Sequence, residues 1–137
     1  ASNDTRFGQI EVKRGLYPAA GATVRLMDEI GWGNAMRYLL TGDEISAREA
    51  WRLGLVQEIT APEKTFESAL AIAQKIAKQS PIGIQATLTS SRIARSVGNQ
   101  AAIKKLLPDL IPIMKSQDFK EGIQSFLERR EADFKGV

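Results

Sequence analysis

The sequence predicts an α/β fold in which helix dominates and two short strands complete the count. Three observations carry this. From Gly21 onward, apolar residues recur at helical spacing through most of the chain. Only residues 5–12 (TRFGQIEV) and 55–60 (LVQEIT) read as strands. Three helical segments separate those two runs, and two strands so separated make a poor sheet by themselves. The first strand therefore lacks neighbours that a complete sheet would supply.

The elements follow in order. Residues 5–12 form an extended run, and residues 13–19 (KRGLYPA) a loop in which Gly15 permits unusual dihedrals and Pro18 removes a donor. Val24, Met27 and Ile30 lie three apart, as on one helix face. Asn34 to Leu40 is a second short helix, stopped by Thr41-Gly42. Ser46 with Glu49 three residues later is a capping box for a third helix, which Gly54 ends. After the second strand, Pro62-Glu63 opens a long helix over about 62–79, with Phe66, Leu70, Ala73 and Ala77 as its stripe. Ser80-Pro81 opens another that runs to about Val97. Pro108 and Pro112, four apart, predict a break or kink near Leu107. Ser116 caps a final helix whose face is Phe119, Ile123, Phe126 and Leu127, and RREADFKGV closes the chain as a charged, frayed tail.

Composition narrows the chemistry. At 137 residues the length fits one domain at most, and 43% hydrophobic residues fit a soluble globular protein. There is no cysteine and no histidine, which removes disulfides, thiol chemistry, the usual zinc ligand and every histidine-activated nucleophile. Catalysis must rest on carboxylates, Tyr17, Tyr38, lysines or backbone dipoles. No group of acids has metal-ligand spacing, so no metal site is expected. The net charge of +3 and pI near 9.3 fit a phosphate-bearing ligand but do not require one. No run reaches transmembrane length and no signal peptide opens the chain, so no membrane partner is expected and the default compartment is the cytoplasm.

Glu11 stands alone among apolar and basic neighbours. On the residues alone it is an ordinary solvated glutamate, because that is the usual state of the type. A carboxyl group becomes a useful acid or base where an apolar pocket desolvates it, and Ile10, Val12 and Leu16 permit such a pocket. The basic residues are scattered over many helices without interleaved aromatics, which argues against a nucleic-acid surface. The glycines at 15, 21, 31 and 33 form no nucleotide fingerprint. Phe126 and Arg129 lie three apart on the last helix and read as a core aromatic beside a solvated cation.

Three ordered segments resemble the crotonase superfamily, the enoyl-CoA hydratase/isomerase proteins. ASNDTRFGQIEVKRGLYPAAGATVRL is similar to the family pattern A-x-x-x-A-x-F-G-x-P-E followed by a Gly-(Leu/Ile)-x-Pro-Gly-x-Gly-Gly-Thr loop and an Arg-Leu helix. AMRYLLTGDEISAREAWRLGLVQEIT is similar to A-x-x-L-L-L-T-G-x-x-(I/F)-x-A-x-E-A-x-x-x-G-L-V-x-x-V. SQDFKEGIQSFLERREADFKG is similar to the C-terminal signature S-x-D-x-x-E-G-(I/V)-x-A-F-x-E-(K/R)-R-x-x-x-F-x-G.

The resemblance implies a C-terminal part of a crotonase-like ββα spiral followed by a helical C-terminal region. Residues 1–60 would end the spiral core, with the catalytic glutamate and acyl-pocket loop, and residues 61–137 would form a helical oligomerisation region. Family members are roughly twice this long, and their first half supplies most of the spiral and two backbone N–H donors for the oxyanion, one in a Gly-Gly-Gly segment. The implied substrate is an acyl-CoA thioester, with no cofactor beyond the CoA it carries, and the implied setting is fatty acid metabolism. Glu11 matches the second of two glutamates that work on one water in hydratases; in isomerases a single acid near these positions shuttles the proton. Tyr17, Pro18 and Ala19 match the acyl-pocket loop. Phe126 and Arg129 match an aromatic and a basic residue that touch a neighbouring subunit's CoA in a trimer or dimer of trimers.

The chain departs from the pattern in three places. Ile10 replaces the proline before the glutamate. Ala19 replaces a loop glycine, and its methyl narrows the pocket. LLPDLIPIM places prolines in a stretch that is a smooth helix in the family. Hydratase, isomerase and other crotonase reactions stay open, as does a non-catalytic helical assembly module. RNA binding, which some crotonase homologues combine with the fold, is the least favoured reading on the charge pattern.

Overall fold

A computed structural model describes residues 1–137. Its contacts gather into two compact units, Ala1–Leu70 and Ala71–Val137, where length alone suggested one. The chain is mostly helical with two short strands.

In the first unit, β1 (Arg6–Phe7) pairs antiparallel with β2 (Ile45–Ser46), placing Arg6 opposite Ser46 and Phe7 opposite Ile45. Helices α1 (Ala22–Ile30), α2 (Trp32–Thr41) and α3 (Ala47–Arg52) surround this pair. Ile30, Ala35, Tyr38, Leu39, Ile45 and Ala50 make the core, with Phe7, Leu26, Met27, Met36, Leu53, Leu55 and Val56 packed on it. Burial of this apolar surface is what holds the short helices, since helices of this length are marginal in water.

Inside that core Tyr38 Oη donates to Glu49 Oε1 at 3.0 Å. Arg52 grips the same carboxylate through Nε at 2.7 Å and Nη2 at 2.6 Å. The Arg52 hydrogen bonds hold Glu49 down at about 2, and burial together with Glu49 pushes the Tyr38 phenol up. The predicted capping box is half formed. Ser46 Oγ accepts from Glu49 N at 3.2 Å, while the glutamate side chain is taken by Tyr38 and Arg52.

Both predicted strands are shorter or elsewhere. The 5–12 run keeps only Arg6–Phe7 extended, and Glu11–Arg14 is a 3-10 turn. Gly15, left-handed at φ 72°, closes that turn: its N–H and that of Leu16 return to the carbonyls of Val12 and Glu11. The 55–60 run is not a strand. Gly54 at φ 81° ends α3, and Leu55 and Val56 donate back to Ala50 O at 2.8 and 3.3 Å. Their apolar character serves this helix end and the core; only Thr60 pairs, in a single parallel bridge with Ser2.

A 3-10 turn at Pro62–Lys64 leads into α4 (Thr65–Ala77), within which the division between the units falls. In the second unit α5 (Pro81–Ser96) packs on α6 (Asn99–Ile113), and α7 (Gln117–Glu128) follows. Ser80 and Ser116 cap as predicted, accepting from Gly83 N at 3.4 Å and Phe119 N at 3.0 Å. The predicted break near Leu107 does not occur, and α6 runs through both prolines. Residues 103–112 are exposed, so water can take the carbonyls the prolines leave without donors. The four-residue spacing also puts both gaps on one side.

The tail is not frayed. Residues 130–137 fold back on α7, where Phe134 lies against Gly122 and the N–H groups of Gln117 and Asp118 donate to Val137 O at 2.9 and 3.1 Å. Apolar residues stay open along α4 (Phe66, Leu70, Ile72, Ile76) and α7 (Ile123, Phe126, Leu127). No helix is long and apolar enough to cross a membrane.

Candidate functional site

Glu11 opens the 3-10 turn that follows β1. Ile10 before it is at the helix-entry position with φ −92° and ψ 3°, and its carbonyl accepts from Lys13 N at 3.0 Å. The Glu11 side chain is half-buried, and its Oε2 is fully buried with no hydrogen-bond partner. A carboxylate oxygen withdrawn from water and left unpaired is costly to maintain, so the fold holds this group where a purely structural glutamate gains nothing.

The loop that follows is fixed by its own hydrogen bonds. Leu16 N donates to Glu11 O at 3.0 Å, Ala19 N to Tyr17 O at 2.8 Å, and Gly21 N to Pro18 O at 3.4 Å. Pro18 is buried, while Tyr17 (69% exposed) and Ala19 face outward. Arg25, one turn into α1, reaches back with its guanidinium to donate to Ala20 O. It crosses Gly21, where a Cβ would meet the guanidinium at about 3 Å, and Gly21 sits at φ 98°. Gly21→Ala is therefore strained in backbone and displaces Arg25. A loss of about 1–2 kcal/mol of unfolding free energy is expected, read as a lower urea midpoint.

Glu11, Tyr17, Pro18 and Ala19 all lie in the first unit, and the bond from Leu16 N to Glu11 O joins the turn to the loop. Phe126 and Arg129 belong to the second unit. They meet at the end of α7, where Arg129 N donates to Phe126 O at 3.3 Å and Arg129 adopts the left-handed φ of 55°. Phe126 is 83% exposed, not the core aromatic that its spacing suggested. It lines an apolar groove of about 460 Å³ with Phe119, Ile123, Leu127 and Phe134.

Sequence reasoning missed the group that builds this end of the molecule. Asp118, 3% exposed, accepts from Ser80 Oγ at 2.7 Å, from Lys135 N at 2.8 Å and from Gly136 N at 3.1 Å. Burial alone would raise its carboxyl, but the Ser80 hydroxyl and the backbone of residues 135–137 outweigh that and hold it below the usual aspartate value. The signal was present as Ser116-x-Asp118: with Ser116 already capping the helix, the carboxylate two residues on is left to accept hydrogen bonds from elsewhere.

The enoyl-CoA hydratase/isomerase family profile matches residues 1–137, and the chain belongs to that family, within the crotonase superfamily. The 2,3-dehydroadipyl-CoA hydratase of Escherichia coli (strain K12) is 35% identical over 136 residues, which are 99% of this chain and 53% of that protein. The mitochondrial enoyl-CoA hydratase of Pongo abelii is 39% identical over 136 residues, 98% of this chain and 47% of that protein. The crystal structure of a probable enoyl-CoA hydratase/isomerase from Mycobacterium abscessus matches with a TM-score of 0.94 at 46% identity, covering 100% of this chain and 53% of the other. The chain spans about half the length of the relatives it matches.

Proposed function

We propose that this chain carries one proton-transfer group of an enoyl-CoA hydratase/isomerase site, and that the group is Glu11. The observation that carries the reading is the buried, unpaired Oε2 at the head of the loop 17–21. Such an oxygen is spent on no other group of the chain, which supports reading it as kept for a substrate or its water. The substrate is an acyl-CoA thioester. Addition of water across its conjugated double bond puts hydroxyl on the β carbon and a proton on the α carbon, through an enolate at the thioester carbonyl. Glu11 moves one of these protons, or shuttles it between carbons in an isomerisation.

Tyr17, Pro18 and Ala19 line the acyl pocket in this reading. Phe126 and Arg129 meet the CoA of a neighbouring subunit, the exposed ring against its apolar part and the guanidinium against its phosphates. The open apolar faces of α4 and α7 support a homo-oligomer, a trimer or dimer of trimers. The setting is cytoplasmic fatty acid metabolism. The motif order supports reading the chain as the C-terminal half of its relatives. The intact mass and N-terminal sequence of the protein from its source cell test this, and a product with its additional length after Val137 would overturn it.

An enolate also needs two N–H donors at its oxyanion, usually the largest catalytic contribution. This sequence has no Gly-Gly-Gly segment to supply one. The 137 residues alone are therefore expected to turn over enoyl-CoA negligibly; a rate comparable to the full-length protein would sink that expectation. The assignment of Glu11 is tested by enoyl-CoA turnover in the full-length protein with and without Glu11→Gln, and retained turnover removes it. The same exposed faces favour a second reading, a helical assembly module. A stable oligomer of the full-length protein with no affinity for acyl-CoA would select it.

A further inference from the structure

We propose that Lys13 is a positioning residue for Glu11, and that Gly42 is the seat into which it fits; the proposal rests on the reading of Glu11 as a proton-transfer group. Lys13 lies two residues beyond Glu11 in the same 3-10 turn. Gly42 ends α2 with φ 65°, its N–H donating to Tyr38 O at 2.9 Å, and it is buried. What buries it is the lysine stem. A Cβ at position 42 would lie 3.0 Å from Lys13 Cγ and Cε and 3.2 Å from Cδ. The methylenes therefore lie directly across the bare glycine, closer than a side chain at 42 allows unless the stem shifts.

Beyond the stem, Lys13 Nζ reaches Asp43 Oδ1 at 3.5 Å. A cation there also sits at the negative end of the α2 dipole. Both side chains of the ion pair are more than half exposed, so the pair itself contributes little and the stem carries the fit.

The same corner anchors the chain on the other side of Glu11. Ile45 and Ser46 pair with Phe7 and Arg6. Glu11 is thus suspended between two attachments, β1 upstream and Lys13 downstream, both to residues 42–46. The upstream pairing reaches only to Phe7, since Gly8, Gln9 and Ile10 are neither strand nor helix. The stem on Gly42 is the side-chain attachment on the far side of Glu11. Displacement of a catalytic group by about 1 Å is enough to cost on the order of 100-fold in rate.

The test uses three variants of the full-length protein. Lys13→Ala removes the stem and is expected to lower kcat roughly 10- to 100-fold with KM for a 2-enoyl-CoA changed less than about twofold. Lys13→Met keeps the stem without the charge and is expected to stay within about threefold of the parent. Gly42→Ala crowds the stem and is expected to lower kcat; its φ of 65° also strains any side chain, so its thermal midpoint falls as well, and in the double variant the loss of kcat is no greater than in the worse single one.

Amide exchange supplies a readout that does not depend on catalysis. The Lys13 and Leu16 N–H groups exchange roughly tenfold faster in Lys13→Ala, at parental rates in Lys13→Met. Unchanged exchange and kcat in Lys13→Ala overturn the proposal while leaving Glu11 in place. Fast exchange with full turnover in Glu11→Gln keeps the docking but removes its catalytic purpose, and with it the reading of Glu11. Equal loss in Lys13→Ala and Lys13→Met overturns the role of the stem.

Discussion

Glu11→Gln lowers the kcat of the full-length protein on a 2-enoyl-CoA by roughly 100- to 10,000-fold, with KM nearly unchanged. Glutamine has the volume and shape of glutamate, so the 3-10 turn and the lysine contact beside it persist. What it loses is the ability to give and take a proton. The parent holds Oε2 buried and unpaired, which costs stability for no structural return. The substitution removes a buried, unpaired carboxyl oxygen and is expected to leave the thermal midpoint unchanged or raised. Lower activity with equal or higher stability marks a group kept for function against the preference of the fold. A glutamate kept for structure gives the opposite pattern, with a lower midpoint and full turnover. Following the loss of the conjugated thioester absorbance alongside a melting curve separates the two.

The helices were legible because their signals are local. Ser46, Ser80 and Ser116 cap as their spacing says, and Gly31, Gly42 and Gly54 take the left-handed φ that ends each element. What was not legible depends on contacts distant in sequence. Glu11 and Val12 read as the end of an extended run, with Lys13 and Arg14 already in the loop; the 3-10 turn that Gly15 closes takes in all four. The run 55–60 alternates like a strand, but its Leu55 and Val56 are spent on the end of α3 and the core. The α7 stripe predicted a buried face, yet Phe126 is open, because periodicity says that a face is apolar and not what covers it. At the candidate site, Glu11 and the Tyr17–Ala19 loop were nameable from the resemblance of a short segment. The Lys13 stem across Gly42 and the Asp118 cradle were not, since each joins residues 17 or more positions apart.

Asp118→Ala frees the carboxyl-terminal strap, and the strap of the parent comes loose only in acid. The alanine variant leaves Ser80 Oγ and the N–H groups of Lys135 and Gly136 without their acceptor. Opening of residues 131–137 is expected to rise roughly tenfold or more, read as faster carboxypeptidase release of Val137 and faster amide exchange at 135 and 136. Asp118→Asn keeps one acceptor oxygen and gives an intermediate rate; equal rates in all three proteins would sink the strap. A second carboxylate holds the same segment. Arg130 Nη2 donates to Glu121 Oε2 at 2.9 Å, and Asp133 N donates to Glu121 Oε1 at 2.9 Å. The Arg130 hydrogen bonds hold Glu121 at about 2, against an ordinary 4.5, and Asp118 lies below its ordinary 3.8. Both folded-state values are depressed, so both contributions are fully present above the unfolded values and are lost as pH falls through the folded ones. Between pH 7 and 5 the strap's protection is therefore flat. It falls below about pH 4.5 as Glu121 begins to lose its advantage, and further below 3.8 as Asp118 does. Loosening that set in near pH 6 would mean that neither carboxylate holds it. Phe134, on the strap, is one wall of the groove that Phe126 lines. Acid release or Asp118→Ala should therefore alter that groove.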